Sequence, residues 1–277
     1  MCPKLFSIGP FTFYSFGAML ALAFLAGYYL LDKELRRKTL PSETGSTITA
    51  ISIFLGIAGS KLFHILENLP AFFQNPVEMI VSSGGLTFYG GLLLAVLGNI
   101  VYLRSERVPL LVFFDAAAPA LILAYGIGRI GCLLAGDGCY GTPTHAPWAM
   151  SFPDGIISTR SALNPELAQL FATLFPGVPV PDDIKVHPTP LYETLYSLGI
   201  FALLWRFRLT ARPAGWLFFL YLMLQAAGRF FVEFIRLNPP AIFGLSEAQV
   251  LAVLFALAGG IGILKVSKKP ADKPVPK

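Results

Sequence analysis

Stretches of about 20 mostly apolar residues, the length that crosses a bilayer's hydrocarbon, recur along this chain. They also carry arginine and glutamate, which hydrocarbon excludes. An arginine at mid-helix costs roughly 2.5–3.5 kcal/mol on insertion scales, so such a residue usually has a partner or a function. Seven segments meet the length, at roughly 12–31, 46–66, 84–103, 110–134, 190–207, 214–234 and 246–265. The chain is 55% hydrophobic and only 13% charged, against about 25% charged in soluble domains. The fold expected is an all-α integral membrane protein with about seven transmembrane helices. The first segment is too long, and too poorly flanked by basic residues, to be a cleaved signal peptide. Residues 1–266 are expected to form a single polytopic membrane domain, followed by a basic cytoplasmic tail at 267–277.

Lysine and arginine placement sets the orientation. Fourteen of the 21 fall in connections on one side: the 33–38 group, Arg104, Arg107, Arg206, Arg208, Arg212 and the C-terminal lysines. Lys4, Arg160, Lys185 and Arg236 fall on the other, while Lys61, Arg129 and Arg229 lie within segments. The richer side is cytoplasmic, so seven crossings put the N-terminus outside and the C-terminus inside. The net charge of +5 is thereby a topology signal, and nucleic acid is not an expected partner. One long outer loop, 135–188, joins the fourth and fifth segments, and a loop of that length is usually functional. Within it Asn164-Pro-Glu-Leu-Ala-Gln-Leu-Phe-Ala predicts a short interfacial helix. Pro70 and Pro76 mark a second outer loop, 67–83, suited to lying along the surface.

The densest polar string is Gly126-Ile-Gly-Arg129-Ile-Gly-Cys132-Leu-Leu-Ala-Gly-Asp137-Gly-Cys139-Tyr-Gly141. Its G-x-G-x-x-G match lies at the end of an apolar helix with no βαβ unit, which excludes a dinucleotide site. The glycines suit close helix approach. Arg129 could pair with a membrane acid (Asp115, Glu193 or Glu233) or hold a lipid phosphate, which its planar fork of donors fits. Asp137, flanked by glycines, is expected on a turn, either as a site acid or as a solvated loop residue. Cys2, Cys132 and Cys139 give no paired framework and no C-x-x-C spacing, so no metal site is expected.

Arg229 and Glu233 are four apart and share a helical face, with Arg236 continuing it outward. A mutual ion pair is one reading of that spacing. Yet Arg129 and Arg229 occupy the outer halves of two different segments, which suggests one shared anionic ligand. His187-Pro-Thr-Pro-Leu-Tyr192-Glu193 opens the fifth segment: proline suits a first helical turn, and Glu193 lies near the positive end of the helix dipole. His187 is a candidate acid or base, and Tyr192 shares a face with Tyr196. Ser83-Gly-Gly-Leu-Thr-Phe-Tyr89-Gly90-Gly91 opens the third segment, its glycines marking a strained turn or close approach to a ligand. All these strings fall toward the outer face.

In these strings, taken in order, the chain resembles the prolipoprotein diacylglyceryl transferase family of bacterial inner membranes over nearly its whole length. The strongest piece is Gly128-Arg129-Ile-Gly-Cys132-Leu-Leu-Ala-Gly-Asp137-Gly-Cys-Tyr-Gly141, with Pro147-Trp148 and Phe152-Pro153 beyond it. The resemblance implies transfer of the diacylglyceryl group of phosphatidylglycerol to the lipobox cysteine of a preprolipoprotein signal peptide. It implies a site toward the outer leaflet and no soluble cofactor. It gives Arg129 and Arg229 the grip on phosphate, Glu233 the positioning of Arg229, and Asp137 and His187 candidate catalytic places. Tyr89, Gly90, Gly91, Cys132, Gly141, Tyr192, Glu193 and Arg236 are the implied substrate-binding residues. The chain departs from the family's usual pattern at Tyr89 (commonly His), Cys132 (Asn), Asp137 (Glu) and Gln225 (often Tyr). Tyr89 is a poor base near neutral pH. Either His187 or the phosphate takes the thiol proton, or the chain is a divergent member that binds lipid without catalysis or uses another acceptor. A transporter would show helix interruptions in matching halves, and the sequence has no such pair.

Overall fold

A computed structural model describes residues 2–9, 11–41, 43–82, 87–241 and 243–268. The expectations for Ser83–Leu86 and for most of the basic tail fall outside these. The chain runs β1 (Lys4–Ile8), β2 (Phe11–Tyr14), α1 (Ser15–Arg37), α2 (Glu43–Glu67), α3 (Leu69–Gln74), α4 (Pro76–Val81), α5 (Phe88–Ser105), α6 (Leu110–Ala135), α7 (Pro165–Leu174), α8 (Thr189–Phe207), α9 (Trp216–Glu233) and α10 (Glu247–Val266).

Each long apolar segment contributes a helix among the described residues. Five of them, α1, α2, α6, α9 and α10, are long and apolar enough to cross a membrane. The described part of α5 is a shorter apolar helix. In α8, buried Thr189, Glu193, Thr194 and Ser197 dilute the apolar character. Large apolar side chains such as Leu25, Phe54, Val101 and Leu264 stay exposed, an area that lipid rather than water would cover.

The first segment begins differently from its sequence expectation. Phe11–Tyr14 forms a strand antiparallel to Lys4–Ile8, with Phe6 opposite Phe13 and their rings stacked at 4.7 Å. Phe-Thr-Phe-Tyr is a run of strand-favouring residues, and Gly9 at φ +57° supplies the left-handed turn. The helix starts only at Ser15, whose N–H donates to Pro3 O.

The contacts divide the chain into two compact units, residues 1–27 with 117–277, and residues 28–116. In the second, α2 packs against α5. A Cβ on Gly91 would lie 2.6 Å from Gly56 O, and one on Gly90 2.5 Å from Gly59 O. Small residues thus let the two backbones approach, and Asn99 Nδ2 donates across to Ser52 Oγ at 2.8 Å. Two prolines start the short helices α3 and α4 in the 67–83 loop, where a missing N–H costs nothing.

In the first unit, Ala118, Ile122, Leu204 and Leu217 make a core among α6, α8 and α9. The 135–188 loop is an ordered head with a core of its own: Tyr140, Phe152, Leu167, Phe171, Ile184 and Val186. Its helix, α7, is capped by Asn164, whose side chain accepts from the Leu167 N–H at 3.1 Å.

Candidate active site

Three helices of the first unit deliver the ionisable residues to one place. Glu193, on the first turns of α8, is fully buried. Arg129 of α6 reaches its Oε2 through Nε at 2.7 Å. Arg229 of α9 reaches its Oε1 through Nη1 at 3.1 Å, and Arg236, just past α9, approaches the same oxygen at 3.6 Å. Glu233 lies one turn beyond Arg229 and takes Arg229 Nη2 at 2.8 Å and Arg236 Nε at 3.6 Å. Three guanidiniums therefore face two carboxylates, and one positive charge is in excess.

The exposures are unequal. The carboxylate side chains are 0% and 1% exposed, whereas Arg129, Arg229 and Arg236 keep 19%, 21% and 11%. The acids form a floor and the guanidiniums a face. Arg236 Nε and Nη1 are buried donors with ion-pair neighbours but no hydrogen-bond acceptor. A buried donor left in that state is costly, and an arriving anionic oxygen relieves it.

Neighbouring backbone fixes this geometry. Ser246 caps α10 in a reciprocal capping box with Gln249, and its hydroxyl also donates to Glu233 Oε1 at 2.8 Å. Asn238 Nδ2 donates to the same oxygen at 2.6 Å. Gly141 and Thr142 thread between two chain segments: Gly141 N–H donates to His187 O and Thr142 N–H to Ile235 O, both at 2.8 Å. A Cβ at Gly141 would run into Ile235 O and come within 3.0 Å of Thr189 Cγ2. Glycine is required there by space.

Along α6, the Arg129 guanidinium sits 4.9 Å from the Tyr125 ring centroid, and Tyr196 O–H donates to Tyr125 Oη at 3.2 Å. Tyr192 and Tyr196 thus part company. Tyr192 accepts from Trp148 Nε1 at 2.7 Å and lies 3.1 Å from His187 Nδ1. Burial pushes the His187 imidazole below its ordinary pKa, which keeps the ring neutral at pH 7.

The helix breaks where its glycines foretold. Gly136 and Gly138 adopt φ +59° and +83°, so the chain doubles back after Ala135. This turn gathers Cys132, Asp137 and Cys139, whose donor atoms all lie within 4.8 Å of one another. A C-x-x-C spacing does not describe this group, because one residue comes from the helix and two from the turn. The alternation Asp137-x-Cys139 after a glycine break was the available signal. Arg129 Nη1 is 3.9 Å from Cys132 Sγ and 3.8 Å from Cys139 Sγ. Hydrogen bonding with Cys132 holds the Cys139 thiol down at about 7, helped by Arg236 and Arg129 and opposed by burial and Asp137.

Of the sequence-predicted residues, Arg129, Glu193, Arg229, Glu233 and Arg236 form one cluster, with Cys132 at its edge beside Cys139, which the sequence did not single out. Asp137 adjoins the cysteines. His187, Tyr192 and Gly141 belong to the strand-like seam beside it. Tyr89, Gly90 and Gly91 lie in the other unit, where the two glycines pack on α2.

Apolar spans carrying a buried acid floor beneath arginines define a multi-pass membrane protein with a basic cluster among its helices. The chain belongs to the prolipoprotein diacylglyceryl transferase family, whose sequence profile matches residues 3–265. The phosphatidylglycerol–prolipoprotein diacylglyceryl transferase of Clostridium tetani is 30% identical over 269 residues, spanning 97% of this chain and 98% of that protein. A protein of the same name from Dehalococcoides mccartyi is 32% identical over 274 residues, with 98% and 96% covered. One from Corynebacterium glutamicum is 29% identical over 272 residues, with 96% and 83% covered.

Proposed function

We propose that this protein transfers the diacylglyceryl group of phosphatidylglycerol to the lipobox cysteine thiol of a preprolipoprotein. The names of its relatives supply the substrates. The observation that carries the chemistry is the arginine face over a buried acid floor, one positive charge in excess.

The reaction is a displacement at carbon. The acceptor sulfur forms a bond to the terminal glycerol carbon of the diacylglyceryl group. The bond from that carbon to the phosphate oxygen breaks, and the electron pair leaves on glycerol phosphate. A phosphodiester with one negative charge becomes a monoester with more, so charge develops on the leaving group. Cations already in place where that charge develops lower the barrier without reorganisation. Arg129 and Arg229 hold the phosphate from two helices, and Arg236 offers its unaccepted donors. Glu193 and Glu233 keep the guanidiniums apart and aimed. Asp137, Gly141 and Tyr192 line the headgroup side.

Seven crossings with the N-terminus outside, formed by α1, α2, α5, α6, α8, α9 and α10, fit the lysine and arginine distribution. On this reading the cluster faces the outer leaflet of a bacterial inner membrane, where an exported acceptor arrives. The test uses purified protein in vesicles containing phosphatidylglycerol, with a lipobox peptide. A peptide gaining one diacylglyceryl mass, with stoichiometric release of glycerol phosphate, supports the reading. Lipid bound without product, or product on a Cys→Ser peptide, overturns it.

A further inference from the structure

The carboxylates of the arginine cluster are buried and engaged by guanidiniums, and His187 Nδ1 lies against Tyr192 Oη at 3.1 Å. A thiol near pKa 8.5 is mostly protonated at neutral pH, and only the thiolate is a competent nucleophile. The group beside Arg129 answers this need.

We propose that Cys132, Asp137 and Cys139 hold a zinc ion whose fourth position takes the acceptor thiol as thiolate. The proposal rests on the transferase reading and adds the means of activating its nucleophile. Three protein ligands and one open position are the arrangement of catalytic zinc, and sulfur and carboxylate oxygen are both among its ligands. With Zn–S near 2.3 Å, tetrahedral ligand atoms sit about 3.8 Å apart. The three donor atoms, within 4.8 Å of one another, need to close by about 1 Å.

The ligands are held from outside. Cys139 N–H donates to Asp137 Oδ1 at 3.1 Å, which orients the carboxylate. Thr189 Oγ1 donates to the Cys139 carbonyl and ties the turn to the start of α8. Gly136 and Gly138 hold positive φ, and a Cβ on Gly136 would lie 2.7 Å from Gly155 Cα. Such outer contacts are what fix first-row ligands in place. Two thiolates and a carboxylate around a dication leave one negative charge, which the cluster's one excess positive charge offsets, and the Arg129 guanidinium stands 3.9 and 3.8 Å from the two sulfurs.

The step balances as follows. The acceptor S–H loses its proton to water as its sulfur binds zinc, since a coordinating thiol is deprotonated outright. That sulfur then bonds the glycerol carbon while the carbon–phosphate oxygen bond breaks toward the arginines. The thioether formed is a poor ligand and leaves. Arg129 touches both halves, with Nε on Glu193 at 2.7 Å and Nη1 by the sulfurs, so nucleophile and leaving group meet on one side chain.

The test uses the full chain in detergent, reduced, stripped with chelator and titrated with Co²⁺ or Zn²⁺. About one equivalent should bind, with a thiolate-to-cobalt charge-transfer band in the near ultraviolet and the visible bands of a tetrahedral ion. Cys132→Ser and Cys139→Ser should lose the band, while Cys2→Ser keeps it, with thermal melts confirming that each is folded. A lipobox peptide should raise the band by about half, as two thiolates become three, and its serine counterpart should not. Absence of stoichiometric metal, a band unchanged in folded Cys139→Ser, or full transfer by stripped protein overturns the zinc site while the transferase reading stands. Stoichiometric metal on a protein that transfers nothing overturns the transferase reading, and with it the acceptor thiol's place on the metal, while the metal site itself stands.

Discussion

Glu193→Gln is the substitution that most sharply examines the cluster. Glu193 is fully buried and receives three guanidiniums, at 2.7, 3.1 and 3.6 Å. Glutamine keeps the shape and removes the charge, leaving Arg129 without its acid and Glu233 against Arg229 and Arg236, and raising the excess from one positive charge to two. Removing one partner of a buried ion pair costs about 3–5 kcal/mol. The arginines keep 11–21% exposure, so water relieves part of this and the lower end, about 3 kcal/mol, is expected. The assay is unfolding in mixed micelles by added SDS, followed by circular dichroism. A second variant, Arg129→Gln with Glu193→Gln, restores the charge balance. It should lie about 1–3 kcal/mol above the sum of the single losses. A Glu193→Gln loss under about 0.5 kcal/mol, the scale of an unremarkable surface change, or strict additivity in the pair, would refute a shared carboxylate at the centre.

Ser246→Ala removes both a helix cap and a hydrogen bond to Glu233. It should cost about 1–2 kcal/mol in the same micelle assay and slow transfer, whereas unchanged transfer would separate Glu233 from the reaction. Gly228→Ala would put a Cβ 2.8 Å from the Tyr196 ring. It should push that ring off Tyr125 and lower thermal stability by about 1–3 kcal/mol, the range for overpacking, and a neutral result would contradict the close α8–α9 packing. His187 should titrate below 6.5 by proton–carbon NMR, because burial disfavours its cation. A depressed histidine pKa gives stability that is complete above the unfolded value and lost as pH falls through the folded one. A titration above 6.5 would contradict its burial.

Much of the helical fold was written in the apolar runs. Apolar runs announced helices because hydrocarbon-length segments leave the backbone little choice, and five of the helices are long and apolar enough to cross a membrane. The hairpin at Lys4–Tyr14 escaped notice, since Phe-Thr-Phe-Tyr reads equally well as the apolar start of a helix and only Gly9 betrays the turn. Arg229 and Glu233 could be paired from a four-residue interval. That Glu193 on α8 would be the common acid for arginines from two other helices could not, because meetings across helices leave no mark in local spacing. Cys132, Asp137 and Cys139 were hidden for a related reason: the break at Gly136 folds the turn back over the last turn of α6. The head at 135–188 showed its Asn164 cap in sequence, but its core depends on pairings such as Met150 with Val186, which a turn-rich stretch does not disclose.

The central claim is that Arg129 and Arg229 serve one phosphate. The direct measurement is the rate of glycerol phosphate release from phosphatidylglycerol, with lipobox peptide present, for the unaltered chain, Arg129→Gln, Arg229→Gln and both together. Each single change should slow release by about 10²–10³-fold, as loss of one preorganised donor does. The double variant should be little slower than either single, because residues acting as a unit do not add. Release at the unaltered rate from either single variant would contradict the account.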